Sequence, residues 1–191
     1  MWKGAAFALS AVDVNGDGFA DLISSGLSLT NLSGALPASV ITVMLGDGKG
    51  NFKQAFTAND SGDVLGVSFC LADLSGRGRL DLLETFADVS IDQKSVGISI
   101  GVRAGNGDGS FQDLQKFAGP QDEFPFASIC ADLNGDGVTD VAYTGISFPV
   151  IASLISGTAV FKVSTLRSRC CLPGRYTWRS TARSGCSPLT M

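Results

Sequence analysis

Short apolar runs separated by glycine-rich turns recur along the first 140 residues of the chain. Examples are FALSAV before Asp13, ITVML before Gly46 and VSFCLA before Asp73. Many of the runs alternate apolar and polar positions and contain β-branched residues, which favours strands over helices. The intervening glycines supply the positive φ that tight hairpin turns require. The pattern predicts an all-β protein of short antiparallel strands.

A repeat with a period of about 60 residues orders these strands. DVNGDGFAD begins at Asp13, DLSGRGRLD at Asp73 and DLNGDGVTD at Asp132. A second motif keeps the same period, since LGDGKGNF ends at Phe52 and AGNGDGSF ends at Phe111. Two independent markers with one period indicate a repeat array. A third marker is the apolar residue six positions before each leading Asp: Phe7, Val67 and Phe126.

Each repeat unit is interpreted as four strands, two around the Asp loop and two around the glycine turn. We expect a repeat region over residues 1–162, with units at about 7–66, 67–125 and 126–162. The third unit is degenerate, because STLRSRCC stands near residue 170, where the period places a glycine turn. A degenerate match, SGTAVF, ends at Phe161. Residues 163–191 are expected to form a disordered or atypical basic tail, either a divergent end cap or an out-of-frame or read-through end.

Composition narrows the class of function. The chain has no histidine, which excludes Ser-His-Asp and Cys-His catalysis and His-ligated zinc. Residues 1–140 carry 18 acidic and 8 basic side chains, and an acidic body repels nucleic acid and attracts cations. No apolar run reaches the roughly 20 residues of a membrane span, and no signal peptide is visible before Asp13. We therefore expect no enzyme, no nucleic-acid partner and no membrane span.

The five cysteines give no recognisable framework. Cys70 and Cys130 lie in apolar, strand-like runs and are predicted to be buried thiols that act as small apolar side chains. The count is odd and no CxxC pair is present, so neither a disulfide framework nor a zinc site is predicted.

The Asp loops have the composition of a calcium site. Ca²⁺ takes 6–8 oxygen ligands at about 2.3–2.6 Å, and D-x-N-G-D-G-x-x-D offers oxygens at positions 1, 3, 5, 7 and 9 of one tight loop. Crowded carboxylates repel one another without a cation. We predict two calcium sites, with the position-7 residue contributing its backbone carbonyl: Asp13, Asn15, Asp17, Phe19 and Asp21 in the first unit, and Asp132, Asn134, Asp136, Val138 and Asp140 in the third.

Other interpretations of these motifs fit less well. An EF-hand loop closes with Glu at position 12 between two helices, whereas position 12 is Ser24 or Tyr143 and neither flank has a helical period. Nonapeptide β-helix repeats would recur every nine residues rather than every 59–60. Plain Asx turns remain the structural alternative for the intact loops. GDGKG and GNGDG lack the GK[ST] ending of a phosphate loop and are interpreted as hairpin turns.

The second unit departs from the calcium pattern. Arg77 stands at position 5, where an oxygen ligand is needed, and Ser75 replaces Asn at position 3. Asp73 and Asp81 remain, and a guanidinium is a good partner for carboxylates. We predict that this loop binds no metal and that Arg77 takes the place of the cation.

These motifs resemble a known family. DxNGDGxxD loops after a short strand, followed by G-[DN]-G-x-G-x-F, are similar to FG-GAP repeats of the VCBS type, best known from integrin α-chains and bacterial surface and secreted proteins. The resemblance covers residues 7 to about 145, and KFAGP at 116–120 is nearest to the FG…GAP signature. It implies a partial β-propeller of about three four-stranded antiparallel blades, with calcium in the loop between two strands of a blade. Propellers usually close with about 4–8 blades.

The resemblance also implies a function. We expect a calcium-binding extracellular or cell-surface repeat module that binds a protein or glycan or mediates adhesion. The alternative is a non-catalytic structural accessory domain of a larger secreted enzyme. Because three blades do not close a ring, further blades are expected from a longer chain or from other copies.

Overall fold

The fold is all-β, as predicted. The computed structural model describes residues 4–28, 38–60, 64–90, 95–121, 123–133, 135–147, 158–168 and 176–179. Every regular element within these ranges is a strand, and the strands form three antiparallel sheets of four. No helix in the described part of the chain is long and apolar enough to cross a membrane.

The three sheets follow one another along the chain and are called blades 1, 2 and 3. Blade 1 contains β1 (Gly4–Val12), β2 (Asp21–Ser28), β3 (Ser39–Gly46) and β4 (Phe52–Asp60). Blade 2 contains β5 (Val64–Ala72), β6 (Asp81–Ser90), β7 (Ser95–Arg103) and β8 (Gln115–Gln121). Blade 3 contains β9 (Glu123–Ala131), β10 (Asp140–Ser147), β11 (Thr158–Ser168) and β12 (Tyr176–Arg179). In each sheet, strands that are consecutive in sequence are neighbours.

Two details of the fourth strands differ from the sequence pattern. The repeat places Phe111 where Phe52 begins β4, but β8 begins at Gln115 and Phe111 makes an isolated bridge to Gly105. Its ring is instead buried edge-on against Phe56 of blade 1, at 5.6 Å between centroids. Phe161 lies inside β11, so SGTAVF is not the third glycine turn. The β11–β12 connection spans residues 169–175, where the period places that turn, and lies outside the described residues.

The first strand of each blade contains a bulge at the apolar marker residue. The register of β1 with β2 skips Phe7, that of β5 with β6 skips Val67, and that of β9 with β10 skips Phe126. An extra residue of this kind bends a strand and increases its local twist. The marker six residues before each Asp loop therefore records a repeated bend in the first strand.

The apolar cores lie between blades rather than within them. One cluster joins Ile23, Ile41 and Val43 of blade 1 to Leu82 and Phe111 of blade 2. A second cluster joins blade 2 to Val141 and Tyr143 of blade 3. This arrangement is typical of repeat proteins, in which each unit is stabilised by its neighbours. The three sheets do not close into a ring.

The first strands β1, β5 and β9 meet on one side of the array. They line an open cavity of about 390 Å³ through Ser10–Val12, Phe69–Leu71 and Ser128–Cys130. Cys70 and Cys130 both line this cavity and form a disulfide, with 5.7 Å between their Cα atoms. The prediction of two free buried thiols is therefore wrong. The two cysteines lie 60 residues apart, one more than the 59-residue step from Asp73 to Asp132. Because side chains alternate along a strand, this one-residue offset puts Cys70 and Cys130 on opposite faces of their blades, so that they point toward each other.

A buried ion cluster also links blades 1 and 2. The Arg103 guanidinium donates from Nε to Glu84 Oε2 at 3.1 Å and from Nη2 to Asp60 Oδ1. Arg103 and Glu84 are buried, and Asp60 comes from the last strand of the preceding blade. Burial, together with the charge of Asp60, raises the pKa of Glu84 to about 7 although Arg103 opposes the shift. Two carboxylates share one guanidinium at this interface.

The boundary between repeat and tail at residues 162 and 163 stays a prediction. β11 crosses it, and β12 lies wholly within residues 163–191. Residues 180–191 lie outside the described part of the chain.

Candidate metal-binding loops

The three Asp loops share one backbone scaffold. Each connects the first strand of a blade to the second, and its leading Asp accepts hydrogen bonds from the loop's own N–H groups. Asp13 Oδ1 accepts from Gly16 at 2.7 Å and Oδ2 accepts from Gly18 at 2.8 Å. These N–H donors, Gly18 foremost, hold the pKa of Asp13 below its usual value. The position-1 carboxylate therefore organises the loop whether or not an ion is bound.

The third loop repeats this arrangement. Asp132 Oδ1 accepts from Gly135 at 2.8 Å and Oδ2 accepts from Gly137 at 2.8 Å. In the second loop, Asp73 accepts from Arg77 N–H at 2.9 Å and Gly78 N–H at 2.7 Å. Burial acts to raise the pKa of Asp73, but these N–H donors outweigh it and the pKa is lowered.

Positions 3 and 5 of the first loop are bonded to each other. The Asn15 amide donates to Asp17 Oδ2 at 2.9 Å, and Asp17 Oδ1 accepts from Phe19 N–H at 2.9 Å. In the third loop Asp136 Oδ1 accepts from Val138 N–H at 2.9 Å, and Asn134 lies outside the described residues. Asp17 and Asp136 are exposed.

The position-9 Asp is buried and ties the Asp loop to the glycine hairpin of the same blade. Asp21 Oδ2 accepts from Val14 N–H and Oδ1 accepts from Gly46 N–H, both at 2.9 Å. Asp81 Oδ1 accepts from Gly105 N–H at 2.9 Å in blade 2. Sequence reasoning missed this role, because the donor lies 24 or 25 residues away and only the strand register brings it close.

In blade 3, the described residues supply the position-9 Asp with only one of these two hydrogen bonds. Asp140 Oδ2 accepts from Leu133 N–H at 3.1 Å, but buried Asp140 Oδ1 has no hydrogen-bond donor among the described residues. A buried carboxylate oxygen without a partner is costly. It is an acceptor that a cation in the third loop, or an N–H from the last hairpin, would satisfy.

The position-7 side chain covers the glycine hairpin. The Phe19 ring lies so close to Gly48 that a Cβ there would be 2.3 Å from Phe19 Cδ1, and Gly48 also has a φ of +68°. Glycine is required at this turn on both counts. In blade 2, Arg79 takes the place of Phe19 and donates to the Asn106 carbonyl at 3.0 Å. In blades 1 and 2 the Asp loop and the glycine hairpin therefore form one packed end of the blade.

In the second loop a guanidinium lies between positions 3 and 9. Arg77 Nη2 donates to Asp81 Oδ1 at 2.9 Å, and Nε donates to Ser75 Oγ at 2.6 Å. The guanidinium was predicted to pair with Asp73 and Asp81, and among the described contacts it pairs with Asp81 alone. Asp73 is contacted by the Arg77 backbone N–H.

The candidate ligands are not gathered around one point. Among the described residues, no three Asp, Glu, His or Cys side chains are close enough together to hold a metal ion. Asp13 is turned toward its own N–H groups and Asp21 toward the hairpin, which keeps them apart. The donor set nevertheless fits a hard cation, because Asp13, Asn15 and Asp17 offer only oxygens and the first loop contains no basic residue. Calcium at these loops stays a prediction.

Comparison with known proteins identifies the repeat. The family model of the FG-GAP-like repeat matches residues 13–84, from the first Asp loop through the second and into β6. No curated protein matches the chain at a significant level.

Proposed function

We propose that this chain, which is an FG-GAP-type repeat protein, is a calcium-binding extracellular module that binds a protein or glycan rather than catalysing a reaction. The proposal depends first on the Asp loops. The observation that carries it is Arg77, whose positive charge contacts the residues at positions 3 and 9 of the second loop. In the first and third loops the same position holds Asp17 or Asp136. A divalent cation would supply there the charge that Arg77 supplies in blade 2.

Calcium in these loops would act on structure. Asp13, Asp17 and Asp21 would hold it in the first loop, and Asp132, Asp136 and Asp140 in the third, with Asn15 and Asn134 at position 3. The ion would offset the repulsion among three carboxylates within nine residues. Since position 9 also contacts the glycine hairpin through Gly46, a bound ion would stiffen the whole end of the blade.

The extracellular setting is supported by two features. FG-GAP repeats typically occur in extracellular proteins. The Cys70–Cys130 disulfide fits an oxidising compartment, where such bonds form and persist. Millimolar extracellular calcium would also suit loop sites of moderate affinity, with Kd of about 10⁻⁴–10⁻³ M. The ligand-binding surface is proposed to be formed by loops at the ends of the blades, where the family scaffold carries its variable segments.

Thermal unfolding in calcium and in chelator tests the proposal. Since calcium would bind the folded loops and hardly the unfolded chain, millimolar Ca²⁺ is expected to raise the Tm by linkage. Asp17→Ala and Asp136→Ala should each lower the shift, and the double variant should abolish it. Arg77→Ala serves as the matched control, because the second loop is expected to contribute nothing to the calcium response. An unchanged Tm in calcium would contradict the proposal.

A further inference from the structure

Each inner blade face has its own set of apolar positions. The backward face of blade 2, toward blade 1, includes Phe69, Leu82 and Phe111. Its forward face, toward blade 3, includes Leu74 and Leu83. The repeat makes these positions comparable between blades, because strand register and loop position are preserved.

The backward face of blade 1 carries the same apolar set with no blade against it in this array. Leu9 is the counterpart of Phe69, because it lies opposite Ser24 in the strand register and Phe69 lies opposite the equivalent residue, Glu84. Phe52 is the counterpart of Phe111, because each follows the glycine hairpin of its blade. Leu9 is 70% exposed and Phe52 is 44% exposed, whereas Phe111 is only 6% exposed. Isolated apolar residues on a surface need no explanation, but a repeated interface set does.

The forward face of blade 3 shows the complementary exposure. Ile129 is the counterpart of Cys70, because it lies opposite Ala142 in the strand register and Cys70 lies opposite the equivalent residue, Leu83. Leu133 is the counterpart of Leu74, because each is at position 2 of its Asp loop. Ile129 is 54% exposed and Leu133 is 45% exposed, whereas Leu74 is 7% exposed. Within the described residues, the array therefore ends in one exposed backward face and one exposed forward face.

We propose that a second copy of this chain covers both faces, head to tail. The backward face of blade 1 would dock on the forward face of blade 3 of the partner, and the reverse contact would form at the other end. Head-to-tail contacts close when the rotation permits and otherwise propagate as filaments. Two arrays of three blades make six, which is within the usual range of about 4–8 blades for a closed propeller. The contact continues the interface that already joins blades 1 and 2, and it does not depend on calcium in the Asp loops.

The mass of the full chain in solution tests this interface. Sedimentation equilibrium or light scattering should give about twice the 19.7 kDa of one chain. The double variant Leu9→Asp/Phe52→Asp should reduce it to the monomer mass, and so should Ile129→Asp/Leu133→Asp at the other end. Lys49→Asp, which introduces the same side chain at an exposed hairpin tip, is the control and should stay dimeric. Far-UV circular dichroism of each variant checks that it is folded.

Mixing the two double variants distinguishes head-to-tail from face-to-face contact. Each variant keeps the face that the other has lost, so one of the two contacts can form and a heterodimer should reappear. A monomeric parent, an assembly that grows without limit with concentration, or no heterodimer on mixing would overturn the proposal. Dimerisation in chelator as well as in calcium separates this result from the calcium proposal.

Discussion

At the scale of single residues, charge placement distinguishes one blade from the next. Arg77 fills the second Asp loop with a guanidinium, while Asp17 stands at the same position in the first. Arg103 places a guanidinium between blades 1 and 2, where it forms ion pairs with both Glu84 and Asp60. Each of these arginines could be located from the sequence, but only Arg77 stood in a motif that gave it a role. The contact of Arg103 with Asp60 spans 43 residues and depends on how blade 1 packs on blade 2.

Glu84 should make the blade 1–blade 2 interface weaken as the pH rises. Its pKa is raised from 4.5 to about 7 on folding, so its stabilising contribution is complete below pH 4.5 and is lost as the pH rises through 7. At about 1.4 kcal/mol per pK unit, the loss is on the order of 3 kcal/mol. Urea unfolding between about pH 4 and pH 8.5 measures the whole of this loss. Glu84→Gln should remove this pH dependence, and a parent that is equally stable across the range would contradict the assignment.

Arg77 should stabilise the second loop without any metal. Arg77→Ala leaves buried Asp81 without its cation and Ser75 without its donor, and such losses cost about 1–3 kcal/mol. The expected result is a lower free energy of unfolding in chelator. Arg79→Ala is the matched control, since Arg79 lies in the same loop and contacts only the exposed hairpin. Equal losses for the two variants would show that the ion pair has no special weight.

At the scale of elements, the unit of structure is an Asp loop fastened to a glycine hairpin. The two motifs could be predicted from their common period, as could the strands around them. Their attachment could not, because the bonds from Gly46 to Asp21 and from Gly105 to Asp81 join residues in different motifs. Motif matching assigned the position-9 Asp to the metal alone. The structure gives it a structural role in all three loops.

The hydrogen bonds of the position-9 Asp predict that its loss destabilises blade 1 more than blade 3. In chelator, Asp21→Ala leaves the N–H groups of Val14 and Gly46 without an acceptor, at about 1–3 kcal/mol for each buried group. Among the described residues, Leu133 alone donates to Asp140, so Asp140→Ala loses one bond there. The free energy of unfolding should therefore fall further for Asp21→Ala. A larger loss for Asp140→Ala would contradict the assigned contacts.

At the scale of the whole molecule, stability comes from the contacts between blades. Apolar clusters join blade 1 to blade 2 and blade 2 to blade 3. The disulfide adds a covalent link between β5 and β9, the first strands of blades 2 and 3. The sequence predicted the blade count from the period. It did not predict the disulfide, because the cysteine count is odd and the two cysteines are offset by one residue from equivalent repeat positions, so only the packing of β5 against β9 brings them together.

Removing the disulfide should destabilise the chain by about 4 kcal/mol, since a cross-link closing a loop of this length falls between the estimates for 15 and 100 residues. Cys70→Ser/Cys130→Ser should therefore unfold at lower urea than the parent under non-reducing conditions. Reductant should lower the stability of the parent and leave the double variant unchanged. Cys171→Ser, outside the described residues, is the control. A parent that is insensitive to reductant would show that the bond does not form.

Calcium stoichiometry by equilibrium dialysis tests the central claim most directly, because it counts the loops that bind. The account predicts two ions per chain, one for Asp17→Ala, one for Asp136→Ala and two for Arg77→Ala. Three ions on the parent would show that Arg77 does not replace the cation. No bound calcium on the parent would return the first and third loops to hydrogen-bonded Asx turns.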